Sequence, residues 1–440
     1  MRWWPRLRRK KKDYSFIDPD NFGRYSEAFK SDDQYALWDE ALRLFEEGKR
    51  FSAYRHFLNY LRNNKGSNIK IEMGPARLRF ELIQGSQKLN GEISPQWMTV
   101  SAFLAREENY PAPLLMELLE ENYHLKFCKY ALSGDHALRL VAEGDVRTMS
   151  PYKLFHLLKE TALTADKKDD LIYSKYGLTN PVAARLHIDR PVNEKNACYT
   201  FIKRTFHGVS DFLKEGPLPP NEYPGLVRYM ILAAAYKVDF LVCPEAVLMD
   251  LLEQCDRLGF TNDPGRQQET TRQLMHLVEE ILQLGKDQVF EELYRTEATF
   301  SINPVLHSAQ IRSIIYSELG TMDWYLEKGH FTAAEAITDF IVGYLLFNFS
   351  VPPVCKELLL LYYRIRERAF FRSLGYRDLP FEDPDQMPRL VRQEVRRIVK
   401  RHARQFPFVE PEYAALEFSS RYMFYKTYLE MLAEMNFTPK

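Results

Sequence analysis

Hydrophobic positions along this chain change their period four times. Between residues 33 and 63, Ala36, Leu37, Ala41, Leu44 and Phe45 recur at helical spacing. Gly48 breaks the run, and Ala53, Phe57, Leu58 and Leu61 resume it, so the pattern predicts a helical hairpin. A tetratricopeptide hairpin is rejected, because the Gly-to-Ala offset is wrong and no tandem neighbour follows. From 68 to 105 the period is two. Ile69 and Ile71 alternate with Lys70 and Glu72, and Leu78, Phe80 and Leu82 alternate with Arg79 and Glu81. Leu89–Ile93 returns after a turn at Gly85-Ser86, and Trp97–Ala105 follows. This predicts a meander of three antiparallel strands. Residues 111–124 revert to helix, with Pro113 in the first turn and Leu114, Leu115, Leu118 and Leu119 as its stripe. Lys126–Leu132 and Ala137–Ala142 flank Ser133-Gly134-Asp135 as a second hairpin. Ser150-Pro151 then caps a helix carrying Leu154, Phe155, Leu158 and Ala162.

The expected N-terminal unit, residues 30–175, is therefore α+β in the order α-βββ-α-ββ-α, on a five-stranded antiparallel sheet. Prolines at 181, 191, 217, 219 and 220 mark residues 176–222 as a linker with one helix near 195–214. From 223 to 440 the period is helical throughout, predicting helices at 224–240, 244–258, 266–294, 304–319, 331–349, 353–373, 386–405 and 410–434. The fold class is thus α+β followed by all-α. A faint duplication pairs Tyr229–Phe260 with Phe340–Ile365, each an apolar helix, a proline break and a Leu-rich helix. Any helical hairpin looks similar. If the duplication is real, this half is a pseudo-repeated bundle or short solenoid.

Composition adds two facts. The 440 residues carry as many acids as bases, 60 of each, yet Arg2, Arg6, Arg8, Arg9, Lys10, Lys11 and Lys12 all precede the first acid, Asp13. The rest of the chain is correspondingly acidic, which disfavours bulk nucleic-acid binding. Residues 1–25 read as a basic tail, with Trp3 and Trp4 suited to a membrane interface if it is not simply a solubilising arm. Five cysteines in no ligand spacing fit reduced, buried thiols in a cytosolic chain, and neither a spanning helix nor a secretory signal is expected.

Catalytic patterns are missing. There is no phosphate-cradling glycine loop, no GxSxG elbow and no HExxH, and the ten histidines, His124 and His156 among them, are scattered singly. No cofactor and no metal are expected. Asp166, Asp169 and Asp170 could offer oxygens to a hard cation, but Lys167 and Lys168 beside them favour a solvated helix end. Glu279-Glu280 and Glu291-Glu292 read as acids on polar faces. The sharper feature is a basic helix with Arg389, Arg392, Arg396, Arg397, Lys400, Arg401 and Arg404, opposite Val391, Val395, Ile398 and Val399. It suits a bundle helix with a charged outer face. The alternative is an anionic surface, nucleic acid or lipid, bound through Arg396, Arg397 and Arg401. The aromatic run Tyr413, Phe418, Tyr422, Phe424, Tyr425 and Tyr428 reads as core.

Three stretches carry a resemblance. Phe127-Cys128-Lys129-Tyr130-Ala131-Leu132, Asp135–Leu140, and Ser150-Pro151-Tyr152-Lys153-Leu154 through Thr164–Leu171, with the element order, resemble the YbjN / type III secretion chaperone-like family over about residues 30–175. The resemblance implies a small, often dimeric α+β domain that holds partner polypeptide segments. Its bearer would be a non-enzymatic chaperone, adaptor or regulator in a bacterial cytosol, with a protein client and a homodimer as partners. Capture would use the sheet face or edge. The binding residues expected are exposed strand members, Arg77, Arg79, Trp97 and Tyr130. Nucleic acid or an anionic membrane is the alternative partner, and an enzyme with an unrecognised site in the helical half is the third reading.

Overall fold

The computed structural model describes residues 19–23, 29–63, 68–181, 185–260, 264–296, 303–379, 381 and 383–440. Most of the basic tail, including Trp3, Trp4 and the Arg2–Lys12 run, lies outside them.

The N-terminal hairpin forms as α1 (Asp32–Glu46) and α2 (Arg50–Tyr60). Ser31 and Gln34 make a reciprocal capping box at the start of α1, and Gly48 takes a positive φ in the turn. The period-two region gives four strands rather than three: β1 (Ile69–Met73), β2 (Leu78–Gln84), β3 (Gln87–Ile93) and β4 (Trp97–Arg106). The reversal at Gly74, whose N–H donates to the Arg77 carbonyl, separates β1 from β2. After α3 (Ala112–Asn122) come β5 (Cys128–Leu132) and β6 (Ala137–Asp145), then α4 (Pro151–Tyr176). The sheet thus has six antiparallel strands, correcting the expected five, in the order β1-β2-β3-β4-β6-β5. Its inner face, with Leu78, Phe80, Leu82, Leu89, Val100 and Leu140, packs under α2 and α4.

Gly91 on β3 lies directly opposite Phe80 on β2. A Cβ at Gly91 would sit 2.1 Å from the Phe80 ring, so glycine is what lets that ring lie flat within the core.

The helical half holds a second hydrophobic core. It contains α5 (Val192–Glu215), α6 (Pro224–Val242), α7 (Ala246–Gly259), α8 (Gln267–Gln283), α9 (Lys286–Glu291), α10 (Ser308–Glu327), α11 (Phe331–Asn348), α12 (Pro353–Arg366), α13 (Arg368–Ser373), α14 (Met387–His402) and α15 (Arg421–Ala433). Two-residue strands β7 (Ile188–Asp189) and β8 (Tyr294–Arg295) pair beside it. Three expected helices are shorter or divided. The 266–294 helix breaks at Leu284-Gly285, the 353–373 helix breaks at Glu367, and 410–420 is a loop with one short turn before Ser420 caps α15. The linker helix α5 belongs to this core through Phe201, Ile202 and Phe206. Phe22, 2% exposed, also inserts here against Phe371, so the chain just after the basic run is anchored to the helical half.

Helices α6 and α11 pack against each other at the centre, and both are buried almost all round. These are the first helices of the two suspected duplicated hairpins. Their turns differ, since Cys243 is left-handed whereas Phe349 is extended. Direct packing of sequence-distant helices makes this half a bundle rather than a solenoid. Among the described residues no helix is long and apolar enough to cross a membrane.

Candidate functional site

The two edges of the sheet are treated differently, and strand register shows how. In β5 the residues bonded to β6 are the odd-numbered ones, as Ser133 donating to Ala137 fixes. The even-numbered residues therefore turn their peptide groups outward. At Cys128 and Tyr130 these groups are already occupied. Glu160 of α4 accepts from the N–H groups of Lys126 (3.0 Å), Phe127 (2.6 Å) and Cys128 (3.2 Å). Asn122, at the end of α3, accepts from Tyr130 N–H at 2.7 Å and donates to its carbonyl at 3.2 Å. Side chains thus seal this edge, as natural sheets commonly do.

At the other edge nothing comparable is built among the described residues. Ile83 donating to the Asn68 carbonyl and Gly74 donating to Arg77 put the even-numbered residues of β1 in the ladder with β2. Ile69, Ile71 and Met73 then present their peptide groups outward, and among the described residues no hydrogen bond reaches them. Ile71 is half-buried and Met73 is 51% exposed, so the open edge carries an apolar margin on its core side.

On its solvent side the margin is charged. A depression of about 320 Å³ opens over the outer sheet face, lined by Lys70, Glu72, Arg79, Glu81, Asn90, Glu92, Thr99 and Ser101. Arg77 and Arg79 both reach Glu92, at 3.2 and 2.9 Å, while Lys70 and Lys88 both reach Glu81, at 3.8 and 2.9 Å. Cross-strand ladders of this kind hold side chains in register but stabilise little at such exposure.

Arg77, Arg79 and Trp97 therefore lie on the exposed outer face as expected, Trp97 being 48% exposed. Tyr130 does not. It is 7% exposed, on the inner face, and its hydroxyl donates to Glu121 of α3 at 2.8 Å. Period-two alternation alone cannot tell which face of an edge strand a helix will cover, and α3 covers this one. The outward side of α3 carries Leu115, Met116, Leu119 and Tyr123, all exposed.

The acidic cluster on α4 also differs from expectation. Asp169 and Asp170 are 4% and 8% exposed, because α4 is sandwiched between the β2–β3 turn and the helical half. Ser86 donates to Asp166 and Asp169, and the Tyr294 hydroxyl donates to Asp170 at 2.6 Å. The neighbouring lysines point elsewhere: Lys167 to Asp250 and Glu253 of α7, and Lys168 to Glu117 and Glu121 of α3. Burial, then repulsion from Asp166, raises the Asp169 carboxyl well above the usual range, and burial, then Asp169, Glu245 and Asp166, does the same to Asp170. Glu292 is likewise buried rather than on a polar face. It accepts from Leu248 N–H at 2.9 Å, and burial pushes it up to about 7.

Acids of this kind bind protons more tightly in the folded chain than in the unfolded one. Their effect is a stability that falls as pH rises from about 4 through the folded values. For Glu292 that window ends near pH 7. Melting temperatures measured from pH 5 to pH 8 are expected to decline, and Glu292→Gln or Asp170→Asn to decline less, by several degrees, each keeping a hydrogen-bonding side chain in place.

In the helical core, Lys237 of α6 bonds Asp339 of α11 at 2.6 Å and Glu367 at 2.9 Å. Arg366 reaches Glu335 and Asp339, Arg204 reaches Glu367, and the Tyr362 hydroxyl donates to Asp339 at 2.7 Å. Burial opposes the Asp339 charge, but Arg366 and Lys237 outweigh it and hold the carboxyl down at about 2. Every charge in the cluster is matched, which marks a structural clasp across the bundle. Sequence reasoning passed over it, although charged residues inside helices apolar on every face are the signal for such pairs.

On α14, Arg397 bonds Glu394 and Arg401 bonds Glu357, so two of the three expected anion-binding residues are taken up internally. Arg396 is exposed over the Tyr413 ring. All five cysteines are free thiols, four of them buried. Among the described residues no three His, Cys, Asp or Glu side chains converge as a metal-binding group.

No protein-family model, no curated protein and no solved structure matches the chain.

Proposed function

We propose that the α+β unit is a non-enzymatic, cytosolic protein-binding module that captures an extended segment of a partner polypeptide by strand addition along β1. The observation that carries this reading is the contrast between the two sheet edges. Side chains from α3 and α4 are spent on closing β5, whereas the outward peptide groups of Ile71 and Met73 stay open beside an apolar margin. An unpaired edge is a template for another strand, with main-chain hydrogen bonds giving affinity and alternate side chains giving selectivity. Residues of the added segment facing outward would meet the charged rows led by Arg79 and Glu81, and those facing inward would cover Met73.

The element order supports the likeness to secretion-chaperone-like proteins: helices, a meander, a helix, a hairpin with its second strand inside, and a closing helix. The exposed apolar stripe of α3 would serve a second copy of the chain, so self-association and client capture use opposite ends of the sheet.

Peptides selected from a displayed library on the full chain test the proposal. Ile71→Pro removes only an N–H that points away from β2, so it spares the ladder while blocking an added strand. It is expected to weaken the selected peptides by about 100-fold or more with a melting temperature within a few degrees of native. Unchanged affinity would rule out β1 as the site.

A further inference from the structure

Beyond client capture, we infer that the exposed face of α14 is a docking strip for the phosphate backbone of a nucleic acid. Arg389, Arg392, Arg396 and Lys400 recur every three or four residues and are all exposed, and Arg404 continues the row just past the helix end. At about 1.5 Å per residue, the four helical cations span roughly 16 Å along one side. One strand of a duplex presents about five phosphates over that length, at about 3.4 Å each.

Three features separate this strip from an ordinary charged helix surface. First, its cations are uncommitted. Arg389, Arg392, Lys400 and Arg404 form no ion pair among the described residues, whereas the outer-sheet cations Arg77, Arg79 and Lys88 are all matched to acids. Second, the only acid between Arg389 and Arg404 is Glu394, and it is turned inward to Arg364 and Arg397. Glu357, the nearest acid from α12, is held by Arg401 and His402. Third, the apolar face of the helix is spent. Val391, Val395 and Ile398 are buried against the bundle. An interfacial helix would need that face to enter the headgroup boundary, so a lipid surface is the poorer fit. What remains outward is a rigid row of cations suited to a hydrophilic polyanion. Contacts of this type carry no sequence preference. Because the body of the chain is acidic, affinity rests on the strip itself and falls steeply with salt.

The test is fluorescence anisotropy of the full chain with a labelled 20-nucleotide single-stranded RNA and with a DNA duplex of equal length. Binding is expected at 50 mM salt. For the single strand, the slope of log K against log salt is expected near −3, from about −0.7 for each of four cations. Changing Arg389, Arg392, Arg396 and Lys400 together to Gln is expected to weaken binding by at least 30-fold. A control with Lys49, Arg147, Lys214 and Arg272 changed to Gln, equal in net charge, is expected to stay within about twofold. Circular dichroism melts check that both variants fold. No binding at 50 mM salt overturns the inference. So does a four-Gln strip variant that binds like the control, which would leave the work to the Arg2–Lys12 run, or a preference for phosphatidylserine vesicles over either oligonucleotide.

Discussion

Asp339→Ala is expected to lower the melting temperature of the helical half by roughly 10 °C. The substitution leaves Lys237, itself buried, with only Glu367 for a partner and strips Arg366 and the Tyr362 hydroxyl of an acceptor. Removing one member of a buried ion pair costs about 3–5 kcal/mol, because the surviving charge stays desolvated. A loss of about 1 kcal/mol lowers the melting temperature by about 2–4 °C in a unit of 150–250 residues. The effect should reverse when both partners go. Lys237→Met with Asp339→Leu is expected to recover most of the loss, since an apolar pair of similar volume suits a helix pair already buried on all sides. Calorimetry of the single and double variants decides between a clasp that holds α6 to α11 and charges that merely coexist there.

Gly91→Val is the second large effect, and it falls on the other core. Its side chain would occupy the space of the Phe80 ring, which is 2% exposed and cannot swing into solvent without opening the sheet. Overpacking costs about 1–3 kcal/mol, and expelling a buried Phe about 3–5 kcal/mol. Whichever route the chain takes, a loss of about 3 kcal/mol is expected. Gly91→Val combined with Phe80→Leu is expected to regain part of it, because the shorter side chain vacates the clash. Additive losses in the double variant would place the damage elsewhere.

Much of the architecture was legible from period alone. The switch from 3.6 to 2 and back marks α2, the strands and α3, and the cap at Ser150 was visible in the chain, whereas the Ser31–Gln34 box that starts α1 was passed over. Count and boundaries were harder. Four alternating runs were grouped as three strands, because the Gly74-Pro75 turn signal between Met73 and Leu78 was passed over. The 266–294 stretch keeps its helical period through Leu284-Gly285, where the chain nonetheless breaks. What the sequence hid was tertiary. Asp169 and Asp170 look like solvated acids until the helical half closes over α4, and Tyr130 looks exposed until α3 lies across it. The functional contrast was hidden for the same reason. Glu160 and Asn122 seal β5 from elements distant in sequence or in register, and no local pattern announces an edge left open.

Amide hydrogen exchange of the full chain, with and without a selected peptide, examines that open edge directly. The outward N–H groups of Ile71 and Met73 should exchange rapidly in the free protein and slow by at least tenfold on binding. Those of Cys128 and Tyr130, already bonded to Glu160 and Asn122, should not change. Protection that falls on α3 or β5 while Ile71 and Met73 keep their free rates would contradict strand addition at β1.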